Sequence, residues 1–559
     1  MDLTRKLTLG ICLLLIFVAG CSPQTTTEVT PTSTRPAPAA TPTPTPEPEP
    51  EADAWWQDVV FYEIFVRSFK DSDGDGIGDF QGIIQQLDYL NDGNPETNDD
   101  LGIGGIWLMP INPSPSYHGY DVIDYYAVNP DYGTMDDFKQ LLAEAEKRGI
   151  KIIIDLVINH TSTQHPWFEA SRDPESEYHD WYVWSETNPQ IPGPWFQNAW
   201  HRDGTNGLYY YGIFWGGMPD LNYDNPPVTE EILNISKFWL EEVGVNGFRV
   251  DAARYLFADG VAQQDTKETI KWFEDWRLFY ETINPEAFTV GEVWTDLQVT
   301  AKYAQGMNSL FMFDLAEDIK GGIFAPDPSR IIKSYLDTLS YFPEGHFSTF
   351  LSNHDQQRVM SLLNGDLQKA KLAAYIYLTG PSVPVIYYGE EIGMLGNKPD
   401  ELLRTPMHWL GEPGAGFTSG TPWQPQNEDY QEVNVALQDG DPDSLLTQYR
   451  TLVHLRNQHP TLRTGAYLPF TSTCRQLYPV LRVEEDQAMI LLANITRRPM
   501  EDCTISIEES PFSGQYVAET LFGEGEFSEI TFAENGSVTG YQIPDLDPWE
   551  QFILIINQP

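Results

Sequence analysis

At 559 residues the chain is too long for one ordinary domain and can bury a large core. Its 82 acidic residues against 33 basic ones give a formal net charge of −49, which excludes a general nucleic-acid binder, because that role needs a basic footprint. Hydrophobic residues at 41% and aromatics at 13% exclude a disordered bulk, and the charge itself bears on solubility and on a neutral or cationic partner, not on fold.

Residues 1–21 read as an export signal: Arg5 and Lys6 precede an apolar run, 7–20, too short for a comfortable membrane span. The run ends Val18-Ala19-Gly20-Cys21, which resembles the cleavage box of bacterial lipoproteins. That resemblance implies a lipid on Cys21 and an exported body anchored to a bacterial membrane, at the cell surface or in the periplasm. Residues 22–52, mostly Ser, Thr, Pro, Ala and Glu, cannot build a core and predict an extended tether.

From Trp55 onward strands alternate with helices. Apolar runs at 59–69, 105–110, 150–159, 245–252, 288–294, 310–315, 347–353 and 383–388 read as strands. Helical periodicity fills 135–148, 230–243 and 368–378, the first opening on the N-cap Thr134 and stopping at Gly149. Eight strands with crossover helices over about 400 residues predict an α/β fold, a (β/α)8 TIM barrel. A doubly wound sheet is the alternative, but no glycine-rich phosphate loop follows the first strand.

The barrel is expected in two parts, 53–160 and 225–460, separated by an insertion at 161–224. So long an interruption predicts a subdomain over the barrel mouth. It carries Trp167, Phe168, Trp181, Tyr182, Trp184, Trp195, Phe196, Trp200, Tyr209, Tyr210, Tyr211, Phe214 and Trp215. Such faces can stack on sugar rings, although an ordinary local core must account for most of them. After a helix near 444–457 the pattern alternates, as in 476–505 and 551–556, and predicts a C-terminal antiparallel β-sandwich over 461–559. Of the four cysteines, Cys12, Cys21, Cys474 and Cys503, none has metal-ligand spacing, and the last two lie in this domain. Export allows them to bond, but their spacing does not decide it.

The stretch 244–255, GVNGFRVDAARY, places Arg249 and Asp251 two residues apart, hence on one face of a strand. A guanidinium beside a carboxylate favours the ionised form and lowers its pKa, which suits a nucleophile. Alone, the pair reads as a structural salt bridge. Two further runs end in carboxylates, however: Glu292 in FTVGEVW and Asp355 in FSTFLSNHD.

Together, Asp155-Leu-Val-Ile-Asn-His160, Gly247-Phe-Arg-Val-Asp251, Gly291-Glu-Val-Trp294 and Ser352-Asn-His-Asp355 resemble, in the right order, the motifs of the α-amylase family, glycoside hydrolase family 13. The stretch 104–110, the box Met218-Pro-Asp-Leu-Asn222 and the run IYYGEEIGM support the resemblance, which covers about residues 55–559. It implies Asp251 as nucleophile, Glu292 as acid/base and Asp355 as the third carboxylate, gripping sugar hydroxyls. It further implies that His160 and His354 bind the sugar and Tyr120 stacks on it, while Asp155 supports Arg249. Arg404, in RTPMHW, resembles an exo-glucosidase feature.

The segment Asp71-Ser-Asp73-Gly-Asp75-Gly-Ile77-Gly-Asp79 has oxygen ligands at the spacing of an EF-hand-like loop, with the Ile77 carbonyl at position 7. Position 12 is Gly82, so Asp79 is expected to close the shell around Ca2+. Many family members hold another calcium through the equivalent of Asn159 and a histidine soon after the nucleophile; here that place reads Arg254-Tyr255.

The function expected is retaining, endo-acting hydrolysis of α-1,4-glucosidic bonds in starch, glycogen or maltooligosaccharides. Exo-acting α-glucosidase and transglycosylase are the enzymatic rivals. A non-catalytic glucan-binding lipoprotein, or an inactive amylase-like subunit, is the rival of another class. The expected partners are an α-glucan and a membrane, with no nucleic acid and no protein partner evident.

Overall fold

The computed structural model describes residues 54–558; the leader, the tether and Cys21 lie outside the described residues. Eight short strands build the main sheet: β1 (Phe61–Ile64), β2 (Gly105–Leu108), β3 (Lys151–Leu156), β4 (Gly247–Val250), β5 (Phe288–Gly291), β6 (Ser309–Leu310), β7 (Ser348–Thr349) and β8 (Val383–Tyr387). They pair in the order β7-β8-β1-β2-β3-β4-β5-β6, all parallel. A parallel bridge between Phe311 and Ser348 joins the two ends, so the sheet closes into the expected barrel.

Each strand is shorter than its apolar run. The first run breaks after Ile64, and Val66–Phe69 is a helical turn; the run at 310–315 is a strand only to Leu310, and Phe313–Phe324 is helix. Apolar composition persists past the last ladder hydrogen bond because both faces of a barrel strand are buried. The expected helix caps hold: the Thr134 side chain accepts from the Asp137 amide and opens Met135–Glu146.

The barrel interior forms its own apolar cluster, with Phe61, Trp107, Ile153, Phe288, Val290, Phe311, Phe350, Val383 and Val385. Trp55 and Trp56 pack beneath it, Trp56 stacking on Phe288 at 5.3 Å between ring centroids. Alternation then dictates the next layer: two residues beyond Phe61, Ile153 and Val290 on the same face come Glu63, Asp155 and Glu292. Gly247 lets β4 approach β5, since a Cβ there would lie 1.8 Å from the Phe288 carbonyl oxygen.

The insertion contains the helix Pro166–Ser171 and a three-stranded antiparallel sheet of Trp184–Ser185, Trp200–Arg202 and Tyr209–Tyr211. The C-terminal region has a six-stranded and a three-stranded antiparallel sheet sharing one core, with Leu481, Ile490 and Leu554 from the first and Ile505, Val538 and Tyr541 from the second. Cys474 and Cys503 are disulfide-bonded there. Two buried arginines bind this region to the barrel. Arg456 donates to the carbonyl oxygens of Leu378, Gly380, Ser382 and Leu462, and Arg482 to those of Thr379, Leu462 and Gly465. Neither has a carboxylate within ion-pair distance among the described residues.

Beyond β8, Glu390 is buried with no cation paired to it among the described residues, accepting from Ser352, Tyr377 and Tyr449, each at 3.0 Å. Burial raises its carboxyl from the ordinary 4.5 to about 7, against the pull of those hydroxyls. The folded group therefore binds its proton more tightly than the unfolded one. Its contribution is fully present below about pH 4.5 and is lost as pH rises through about 7, on the order of 3 kcal/mol in all. Glu390→Gln keeps an oxygen for both tyrosines and turns an amide toward Ser352. Its melting temperature is expected to decline less than the wild type's between about pH 5 and 8. Parallel melting curves across that range would contradict this account.

Candidate active site

The layer above the apolar plug is organised by Arg249. In the β3–β4 register it stands directly beside Asp155, so their side chains meet on the inner face. Its Nη1 donates to both Asp155 oxygens (2.9 and 3.0 Å) and to Asp251 Oδ1 (2.8 Å), while Nη2 donates to Glu292 Oε2 (2.7 Å). The Ala252 amide also donates to that Glu292 oxygen, at 3.2 Å. One guanidinium thus joins the two carboxylates expected to do chemistry, and Asp155 is its support, as the resemblance implies.

Asp251 departs from expectation. Burial raises its pKa above the ordinary aspartate value, and the nearby Arg249 offsets only part of this. Sequence shows the ion pair but not how little water reaches it. Glu292 is raised as well, first by burial and then, against Arg249, by the charges of Asp251 and Asp355.

Asp355 faces this pair from beyond β7. Burial alone would raise it, but His354 (3.2 Å) and Arg404 (2.7 Å) hold it far below the carboxylate range. His354 lies between carboxylates, with Nδ1 on Glu63 (2.6 Å) and Nε2 toward Asp355. Burial lowers its pKa, yet Asp355 and Glu63 outweigh that and keep it near about 9, so the imidazole is cationic at neutral pH. The Tyr120 hydroxyl bridges the two groups: it donates to Asp155 Oδ2 (3.1 Å) and lies 2.6 Å from His354 Nε2. His160 donates from Nε2 to the Tyr120 carbonyl oxygen at 3.1 Å. All the expected carboxylate, histidine, tyrosine and arginine residues therefore converge at the C-terminal end of the barrel.

The acidic loop lies at the same end. One oxygen from each of Asp71, Asp73 and Asp79 falls within 4.8 Å of the others, a hard-oxygen set suited to calcium. Asp75 stands on the same turn, its Oδ1 accepting from the Ile77 amide as Asp73 Oδ1 accepts from the Asp75 amide. The loop packs on the segment before Trp423: Thr418 donates to Asp71, and the Trp423 amide to the Gly76 carbonyl oxygen. Trp423 stacks on Tyr117, which in turn lies against Arg404. At the place where many relatives have a calcium-binding histidine, Arg254 is engaged by Asp265 and by the Trp294 carbonyl oxygen.

The profile of the family "Alpha amylase, catalytic domain" matches residues 63–465. The chain belongs to the α-amylase family of glycoside hydrolases. It is similar to "Alpha-amylase 3" of Dictyoglomus thermophilum, 39% identical over 452 residues, covering 80% of this chain and 86% of that one. It is also similar to "Oligo-1,6-glucosidase" of Parageobacillus thermoglucosidasius, 32% identical over 522 residues, covering 79% and 91%. Among solved structures it resembles the α-amylase from H. orenii, with a TM-score of 0.77 and 42% identity over 89% of this chain and 99% of that one.

Sequence reasoning missed one member of this α-amylase-family site, Glu63. Its signal was a single acid inside the apolar stretch FYEIF, on the inward parity of Phe61. Nothing local in the sequence pairs it with His354, which lies 291 residues away.

Proposed function

We propose that the chain is a retaining, endo-acting hydrolase of α-1,4-glucosidic bonds in starch, glycogen or maltooligosaccharides. The observation that carries this reading is Arg249 holding Asp251 and Glu292 on its two terminal nitrogens. That arrangement favours the spacing of about 5–5.5 Å used by retaining enzymes over the wider gap inverting enzymes leave for water. Asp251 attacks the anomeric carbon while Glu292, its proton retained by burial, protonates the departing oxygen. Glu292 then takes a proton from water, which breaks the glycosyl–Asp251 bond, and two displacements return the original configuration. Asp355, kept ionised by His354 and Arg404, accepts hydrogen bonds from sugar hydroxyls at the reacting ring.

Endo-action rests on Tyr117. Exo-acting members resemble one another in placing an aspartate three residues before the stacking tyrosine; here Tyr117 fills that place, stacked on Trp423. An exo-acting second reading is favoured by Arg404 on Asp355 and by relatives named oligo-1,6-glucosidase. A maltooligosaccharide blocked at its non-reducing end decides between them. Cleavage with α-configured first products, followed by NMR, is expected. Resistance of the blocked chain would mean exo-action, and β-products would overturn retention.

We also propose that Asp71, Asp73, Asp75 and Asp79, with the Ile77 carbonyl, hold a calcium ion that stiffens the loop under Trp423. Stripping it should lower the melting temperature by a few degrees, since an ion bound only to the native state at about 100 times its Kd adds about 2.7 kcal/mol. Asp73→Ala should melt at the lower temperature with or without chelator. A wild-type melting curve unmoved by proven removal of the metal would reduce the loop to an acidic turn.

A further inference from the structure

Of the insertion's aromatics, Phe168, Trp181, Tyr182, Tyr210 and Tyr211 are buried, and Trp167, Trp184, Trp200, Tyr209 and Phe214 are half-buried. Trp195 and Phe196 are the opposite, 53% and 90% exposed, at the tip of a hairpin closed by the Pro192–Asn198 bridge. Phe196 makes no ring contact among the described residues, and its φ of +62° is one that bulky side chains rarely adopt. Nothing in the packing calls for a phenylalanine there.

The tip is nonetheless braced. Gln197 donates to the Ile213 carbonyl oxygen (2.7 Å) and accepts from the Trp195 amide (2.9 Å). Gln263, from the loop after β4, donates to the Pro192 carbonyl oxygen (2.9 Å) and accepts from Tyr211. A hairpin fixed at both ends presents its rings in one place.

That place leads into the site. The Trp195 ring meets Phe214 at 5.8 Å and Tyr255 at 5.6 Å, and Phe214 meets His160 at 5.3 Å. Arg254, next to Tyr255, holds the Trp294 carbonyl oxygen at 2.6 Å, two residues beyond Glu292. The rings therefore run outward on the side of the proton donor, where the departing portion of a chain lies. Rigid apolar faces in a row suit the ring faces of successive glucose units.

We propose that Trp195 and Phe196 form a binding platform for the departing portion of an α-glucan and make cleavage depend on chain length. This rests on the reading that Asp251 and Glu292 cleave such chains. The test measures kcat and KM on maltotriose through maltoheptaose for the full chain, Phe196→Ala, and the Trp195→Ala/Phe196→Ala double variant. The double variant is expected to lose about tenfold in kcat/KM on maltoheptaose, through KM, with little change on the shortest chain cleaved. Phe196→Ala, which removes no packing, should show part of the same length-dependent loss. An unchanged length profile in both variants, or an equal loss at every length, would overturn the platform. A wild type inactive on every length would instead sink the cleavage reading, and the platform with it.

Discussion

Asp251→Asn is expected to reduce kcat by about three orders of magnitude or more, since it removes the atom that attacks and almost no volume. Its melting temperature at pH 7 should match or exceed the wild type's. Burial makes the ionised carboxylate unfavourable in the folded chain, and an amide oxygen can still accept from Arg249. Activity and stability thus move in opposite directions, which separates loss of a nucleophile from loss of fold. Wild-type turnover in the purified variant would refute the assignment. The pH–rate profile follows from the same environment. Asp251 must be ionised and Glu292 protonated; both are raised by burial, so both limbs should lie above the ordinary carboxylate values and belong to the pair jointly.

Arg249→Met should be the most damaging single change to the fold at this end of the barrel. It fills similar space but leaves the buried Asp155 and Asp251 and the half-buried Glu292 without their shared cation. Removing one partner of a buried pair costs about 3–5 kcal/mol. The carboxyls left behind would titrate higher than in the wild type, so the variant's stability should be best under acid conditions and fall as pH rises through those raised values. Adding Asp155→Asn should recover part of the stability and none of the activity. A variant melting like the wild type at about pH 8, well above ordinary carboxylate titration, would show that the three acids find other compensation.

The legible part of the site was the part encoded by strand parity and local motif. Arg249 and Asp251 share a face because they are two residues apart, and Glu292 and Asp355 end runs of the same kind. What could not be read depends on neighbours distant in sequence. Glu63 meets His354 only because β1 and β7 flank β8 in the closed sheet. The direction of the Asp251 shift depends on how much water the layer admits, which no pair of letters encodes. Strand limits were overrun because apolar residues continue past the last ladder bond, as Phe311 and Phe313 do beyond β6.

The two arginines under the barrel also bear on how the chain is made. Carbonyl oxygens between Leu378 and Ser382, buried beside β8, receive their donors from residues 456 and 482, which leave the ribosome later. Until that segment emerges, a nascent barrel has its last strand next to backbone groups that nothing satisfies. Synthesis order would therefore delay closure until both arginines have emerged. A fragment ending at 444, before the helix Leu445–Gln458 that carries Arg456, should be protease-sensitive and insoluble, whereas the full chain should melt in one transition. A soluble, protease-resistant fragment of that length would show that the barrel completes itself without the two arginines that follow it.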